Sequence, residues 1–278
     1  MLHGHGAFGI ITKKIWLNYF AVFGIRPATG YHVMPWLGTF DILLGVSLLL
    51  FPTRAVLFWL IVWGTITAML RPLSGEPFAE ALERAGNYGT PLALLTICGE
   101  GHTLKEWFSR IKADIPVTAE TWKKLLRCLQ VVVFMRLASH GWLNLIGKPG
   151  LLAQYATLGF TNPVFAARAA GVFELLAAVS TLVRPIRPLL LILLVWKVAT
   201  ELFYPQWEVF EWIERGGSYG AILALWFTLP AVKRSIPKLA LKPEQSKPGR
   251  RRFYLNRVRR AFSIQLTRTN FSNDLAER

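Results

Sequence analysis

The chain has 278 residues, of which 53% are hydrophobic and only 17% charged, and its mean hydropathy is +0.37. That balance excludes an ordinary soluble globular protein and marks an all-α polytopic membrane protein. The formal charge of +16 follows mostly from where Lys and Arg fall along a membrane chain and from a basic tail, and is only weak evidence for nucleic acid, so no nucleic-acid partner is expected.

Met1 to Gly6 lacks a basic region followed by an apolar core, so no signal peptide is expected there. His3, His5 and His32 follow, at spacings that fit no metal-ligand motif, and no metal is assigned. Apolar runs then predict membrane helices over Pro35–Phe51, Ala55–Leu70 and Tyr88–Cys98. Pro35 suits a first helical position, and Asp41 inside that run should face the bundle interior with a partner or a proton. In Gly86-Asn87-Tyr88-Gly89, Asn87 reads as a helix cap and the glycines as points of close helix approach.

The polar connection from Gly99 to Thr121 contains Trp107–Ile111, a short surface helix. Cys98 and Cys128 are the only cysteines and form no C-x-x-C pair, which disfavours dithiol chemistry. Four more runs follow, Leu125–Ser139, Val164–Val183, Pro188–Phe203 and Tyr219–Ala231, for about seven spans in all. Several fall short of the roughly 20 residues that cross a bilayer. Arg136 lies one turn before His140 on the same helix face, near enough to pair with Glu174 on the next span. Lys197 and Glu201 are four apart, and either neutralise each other or draw a further partner such as Glu174. Trp196, Trp207 and Trp212 read as an interfacial belt, and Ser218 as the cap matching Asn87.

After Pro230 the composition turns basic. Arg250, Arg251, Arg252, Arg257, Arg259 and Arg260 flank Tyr254, Val258 and Phe262 at helical spacing, which reads as an amphipathic helix on anionic membrane lipid. Most of the 32 Lys and Arg fall on one side if this tail and the Gly99–Thr121 connection are cytoplasmic.

Internal similarity organises the chain. An offset of 135 positions pairs His5 with His140, Gly6 with Gly141, Lys13 with Lys148 and Gly24 with Gly159. An offset of 133 pairs Gly38 with Gly171, Asp41 with Glu174, Arg54 with Arg187 and Trp63 with Trp196, and one of 131 pairs Glu83–Gly89 with Glu214–Gly220. The expected organisation is a three-span first repeat over 1–98, a connection over 99–121, a four-span second repeat over 122–231 and a tail over 232–278. An even number of spans separates equivalent helices, so the repeats are expected to be parallel.

The pattern from Phe134 to Phe160, F-x-R-L-x-x-H-G-x-x-x-L-x-G-K-P-G-L-x-x-Y-x-x-L-G-F, followed by Gly171-Val-Phe-Glu174, resembles the DoxX family of small four-helix membrane proteins, which includes the DoxD-type subunit of thiosulfate:quinone oxidoreductase. The resemblance covers Leu125–Ala231 and, more weakly, His5–Cys98. It implies two four-helix repeats, a bacterial inner membrane and a redox link with quinone and a redox partner protein. The family's polar positions carry over as Arg136, His140, Gly141 and Glu174, against only His5, Gly6 and Asp41 in the first copy. The expected site is therefore a quinone head group held by Arg136, His140 and Glu174, with Lys197 and Glu201 beside them and with His140 and Glu174 exchanging protons. A non-enzymatic assembly or stress-associated membrane protein, and a proton-coupled transporter, are the alternatives.

Overall fold

The computed structural model describes residues 2–99, 101–112, 114–202 and 209–235, with the side chains at 201, 202, 209, 211 and 233–235 outside that description. The arginine-rich tail therefore lies outside the described residues, as do Trp207 and the side chain of Glu201. Within them the chain is all helical, and its one β contact is an isolated bridge from Thr53 to Arg110.

The helices in order are α1 Leu2–Ile10, α2 Trp16–Ala21, α3 Pro27–Leu50, α4 Arg54–Leu73, α5 Ala79–Glu83, α6 Ala85–Cys98, α7 Leu104–Phe108, α8 Ala119–Leu145, α9 Pro149–Thr157, α10 Pro163–Val183, α11 Arg187–Leu202, α12 Val209–Glu214 and α13 Gly216–Ser235. Three of them, α3, α4 and α10, are long and apolar enough to cross a membrane. A fourth crossing results if α8 and α9, bent by 81° at their junction, count as one broken span. With 14 residues, α6 is only about 21 Å long at 1.5 Å per residue. Large apolar side chains such as Leu43, Leu49, Leu176, Val179, Val183 and Val195 face outward. That is how helices facing lipid tails are built, because apolar surface there costs nothing.

Local chemistry sets the helix boundaries. Thr53, Thr118 and Asn162 cap α4, α8 and α10 by accepting the backbone N–H of Val56, Thr121 and Phe165. The first long helix begins at Pro27, not at Pro35 as the hydropathy suggested. Arg26 is extended, as the residue before a proline prefers to be, and Pro27 takes the first helical position. Pro35 sits in the helix interior. Asn87 and Ser218 do not cap helices either, because α5 and α12 run almost directly into α6 and α13, which start two residues earlier. The connection helix is α7, and the Arg54 guanidinium holds it down by donating to the carbonyls of Cys98, Gly99 and Glu106.

The breaks fall at matching places in the two halves. Thr12 (φ 54°) ends α1 where Gly147 (φ 68°) ends α8, and Gly24 (φ 71°) precedes α3 where Gly159 (φ 86°) precedes α10. The offsets also superimpose the ends of α3 and α10, at Leu50 and Val183, and the starts of α4 and α11, at Arg54 and Arg187. On the same register α1 matches Leu137–Leu145, the last nine residues of α8.

The core centres on α8. Its Leu129, Val132, Val133 and Leu137 pack with Ala177 and Ala178 of α10, Leu190 and Leu193 of α11, and Ile222 and Leu225 of α13. The two halves also grip each other, since α5 packs on α8 and α12 on α1. Helix pairs α1/α3 and α8/α10 touch through glycine. A Cβ on Gly6 would lie 2.5 Å from the carbonyl oxygen of Gly38, and one on Gly171 would lie 2.6 Å from that of Gly141. Such contacts leave no room for a side chain and bring neighbouring polar groups within bonding distance.

Gly171→Ala should therefore lower thermal stability in detergent by about 1–3 kcal/mol, the usual cost of overpacking a fixed backbone contact. Gly220→Ala, where an added Cβ meets nothing within 4 Å, should stabilise α13 by up to about 1 kcal/mol through helix propensity. Equal shifts for the two variants would count against the tight α8/α10 contact.

Candidate functional site

In the second half, α8 aligns Arg136, His140 and Asn144 at one-turn spacing on one face. Across the Gly141/Gly171 contact, α10 places Glu174, and α11 adds Trp196 and Lys197. His140 Nδ1 lies 2.5 Å from Glu174 Oε2. Lys197 Nζ and Trp196 Nε1 both donate to Oε1, at 3.1 Å and 3.2 Å. Asn144 Nδ2 donates to the His140 carbonyl and lies 3.1 Å from its Nδ1. Glu174 and Lys197 are both 0% exposed, so no solvent reaches the pair. A carboxylate so placed costs several kcal/mol to desolvate, and a cation with well-formed hydrogen bonds offsets much of that cost.

Arg136 does not complete this cluster. Its guanidinium turns to the first half and donates through Nη1 to the carbonyl oxygen of Glu83, at 3.0 Å. Glu83 is the last residue of α5, and the final carbonyls of a helix have no partner of their own. Arg136 thus caps a helix of the other half, and Lys197 is the cation that reaches Glu174. The candidate set of Arg136, His140, Glu174, Lys197 and Glu201 divides accordingly. His140, Glu174 and Lys197 meet, Arg136 faces elsewhere, and the Glu201 side chain lies outside the described residues. Trp196, expected at a membrane interface, is a hydrogen-bond donor to Glu174 instead.

Further charges tie the halves together above these helices. Arg84 pairs with Glu214 at 2.6 Å and Lys148 with Glu80 across the two halves, and within the first half Arg71 holds Glu76 and Glu80 at 2.9 Å and 3.3 Å. Burial favours the neutral form of Glu83, but Arg215, His140, Lys148 and Arg84 outweigh it and hold the carboxyl well below the usual carboxylate range. Burial pushes the Tyr19 phenol upward, so it remains a donor, and its hydroxyl donates to Glu76 at 2.7 Å. Among the described residues no three His, Cys, Asp or Glu side chains gather as metal ligands, and both cysteines are free thiols.

The first half repeats the imidazole–carboxylate pair and leaves space beside it. His5 Nδ1 lies 2.6 Å from Asp41 Oδ2, and Asp41 is 0% exposed. Here the surroundings diverge. Asp41 is one methylene shorter than Glu174, and the offset of 133 sets Gly64 where the second half has Lys197. Asp41 Oδ1 and Trp63 Nε1 are consequently both buried without a hydrogen-bond partner, although their counterparts bond to each other.

A cavity of about 150 Å³ adjoins the His5 side of this pair. His5, Trp16, Tyr19, Phe20, Trp63 and Arg71 are among its walls. The His5 ring rests on Trp16 with centroids 4.5 Å apart. Three further lining residues, Ile15, Phe23 and Ile66, are exposed on the outer surface. Of these residues only His5 and Trp63 stood out in the sequence, as the counterparts of His140 and Trp196, and the fuller set of polar residues in the second half drew the expected site there. The available signal was the single register position at which Gly64 stands opposite Lys197.

Lys197→Met should cost about 3–5 kcal/mol, because it leaves Glu174 buried without its cation. Adding Glu174→Gln should recover part of the loss, so thermal unfolding of the double variant should be less impaired than that of Lys197→Met alone; additive losses would contradict a coupled pair. Stability drawn from Glu83, whose folded-state value is depressed, is present at neutral pH and disappears as pH falls through that value. Melting temperature should accordingly decline on acidification below about pH 4, with a smaller decline in Glu83→Gln.

No protein-family model matches the chain, nor does any curated protein or solved structure.

Proposed function

We propose that this chain is a DoxX-type membrane protein made of two parallel repeats with about seven spans, and that it binds the ring of a quinone-type head group in its first half. The matched helix breaks, the paired glycine contacts and the two imidazole–carboxylate pairs support the duplication. The second-half cluster of His140, Glu174 and Lys197 is then the bundle's internal strut. It is filled by its own side chains, and both carboxylate oxygens of Glu174 are already engaged.

The observation that carries the ligand reading is the cavity beside His5, the imidazole that pairs with Asp41. A cavity of about 150 Å³ is the size known to admit one benzene-sized ring. Trp16, Tyr19, Phe20 and Trp63 in its walls suit a planar ring, Lys13, Arg71, Arg84 and Glu214 add charge to the same walls, and the exposed apolar residues Ile15, Phe23 and Ile66 at its margin suit an attached lipid-soluble chain. His5 can exchange a proton with a bound head group while the hydrogen bond to Asp41 orients the imidazole. A bacterial inner membrane, a cytoplasmic tail on anionic lipid and a redox partner protein belong to the same reading.

A short-chain quinone should raise the melting temperature of the detergent-solubilised protein, by the equivalent of about 2.7 kcal/mol at a hundredfold excess over Kd. Ala68→Phe, which projects into the cavity wall, should abolish the rise while retaining the helical spectrum. Glu174→Gln should lower the starting stability yet keep the rise. A quinone-dependent rise lost in Glu174→Gln and retained in Ala68→Phe would move the site to the second half.

A further inference from the structure

Given the cavity reading above, on which this step rests, a bound ring is met by a donor that the protein itself leaves unused. In the second half the Trp196 indole donates to Glu174 Oε1 at 3.2 Å. The offset of 133 sets Trp63 and Asp41 in their places, but the acid is one methylene shorter, and the Trp63 indole N–H is buried without an acceptor. Trp63 lines the cavity of about 150 Å³ and also a chamber of about 20 Å³ that shares His5, Thr67 and Asn87 with it. Gly64 is in the wall of this chamber and adds no side chain to it. The chamber has room for a single oxygen atom, about the space one water needs, and not for a ring. Trp59 stacks on Trp63 with centroids 6.1 Å apart and planes 11° from parallel, which supports the indole on one face. Other donors in these walls are engaged: Tyr19 by Glu76, Arg71 by Glu76 and Glu80, Arg84 by Glu214, and the Thr67 hydroxyl by the carbonyls of Trp63 and Gly64.

We infer that Trp63 is the specificity-determining residue of the first-half site, its indole N–H donating to a carbonyl oxygen on the bound ring as Trp196 donates to Glu174. The ligand oxygen takes the part that Glu174 Oε1 plays in the second half, and the small chamber beside Gly64 gives it room. An indole nitrogen only donates, whereas a ring carbonyl offers two lone pairs and brings no proton that would need an acceptor of its own. A buried donor without an acceptor carries its full desolvation cost, which a carbonyl-bearing ring relieves and a bare aromatic ring of the same shape does not. Apolar walls alone would take both rings alike, so the indole is what separates them.

The test compares duroquinone with durene, rings that carry the same four methyl groups and differ in the two carbonyls, by titration of the full chain in detergent with partition into empty micelles subtracted. Duroquinone should bind about fivefold to tenfold more tightly, the usual worth of one buried hydrogen bond. Trp63→Phe keeps an aromatic wall and removes the donor; it should leave durene within about twofold of wild type and bring duroquinone down to the same level. In proton–nitrogen spectra of the chain labelled at its tryptophan indoles, the Trp63 resonance, assigned by its loss in Trp63→Phe, should move downfield with duroquinone and not with durene. Equal affinities in the wild type, a preference undiminished in Trp63→Phe that still binds durene, or a Trp63 resonance that duroquinone leaves in place would overturn the inference while leaving the cavity as a ring site. If neither compound binds the wild-type chain, the cavity reading itself fails and the role of Trp63 with it.

Discussion

A buried imidazole–carboxylate pair, set on helices that touch through glycine, is the constraint around which each half of this protein is arranged. A carboxylate at that depth is tolerated only when something answers its charge. Gly6/Gly38 and Gly141/Gly171 bring two backbones close enough for a histidine on one helix to meet an acid on the other. The sharp breaks at Thr12 and Gly147 then turn the chain aside before it can continue past the pair. Helix contact, break and buried charge form one unit, and it occurs twice.

The two occurrences differ in how the unit is completed, and from that difference a function can be argued. In the second half Lys197 and Trp196 reach the acid and satisfy the oxygen that His140 leaves free. In the first half Asp41 is shorter, Gly64 is empty of side chain, and a ring-sized cavity remains with the unpaired indole of Trp63 in its wall. Natural proteins seldom leave buried polar atoms unsatisfied without a use for them. On the proposed duplication, one copy has been kept as scaffold and the other opened as a site.

Much of this was legible in the sequence, and the failures have identifiable causes. Charge in an apolar run pointed Asp41 and Glu174 inward, and the offsets that pair Gly24 with Gly159 also bring the helix breaks at Thr12 and Gly147 into register. Helical spacing alone brought His140 to the face that meets Glu174. Spacing could not supply the partner of Arg136, because that partner is a main-chain carbonyl on α5, delivered by packing between the halves. Hydropathy likewise started the first long helix at Pro35, since it is blind to the capping geometry at Arg26 and Pro27. The cavity was hidden for a different reason: it is made by an absence. A motif search rewards the half richer in polar residues, whereas an opening is announced by a side chain that is absent, here at Gly64 in register with Lys197.

The claim on which the account depends is that the first half, and not the better-preserved second half, receives the ring. Photolabelling with an azido-substituted short-chain quinone, followed by peptide mapping, measures this directly. The account predicts adducts on Trp16, Phe20 or Trp63, suppressed by excess unlabelled ligand. Competed adducts on the α8, α10 and α11 segments around His140, Glu174 and Lys197, with none in the first half, would contradict it.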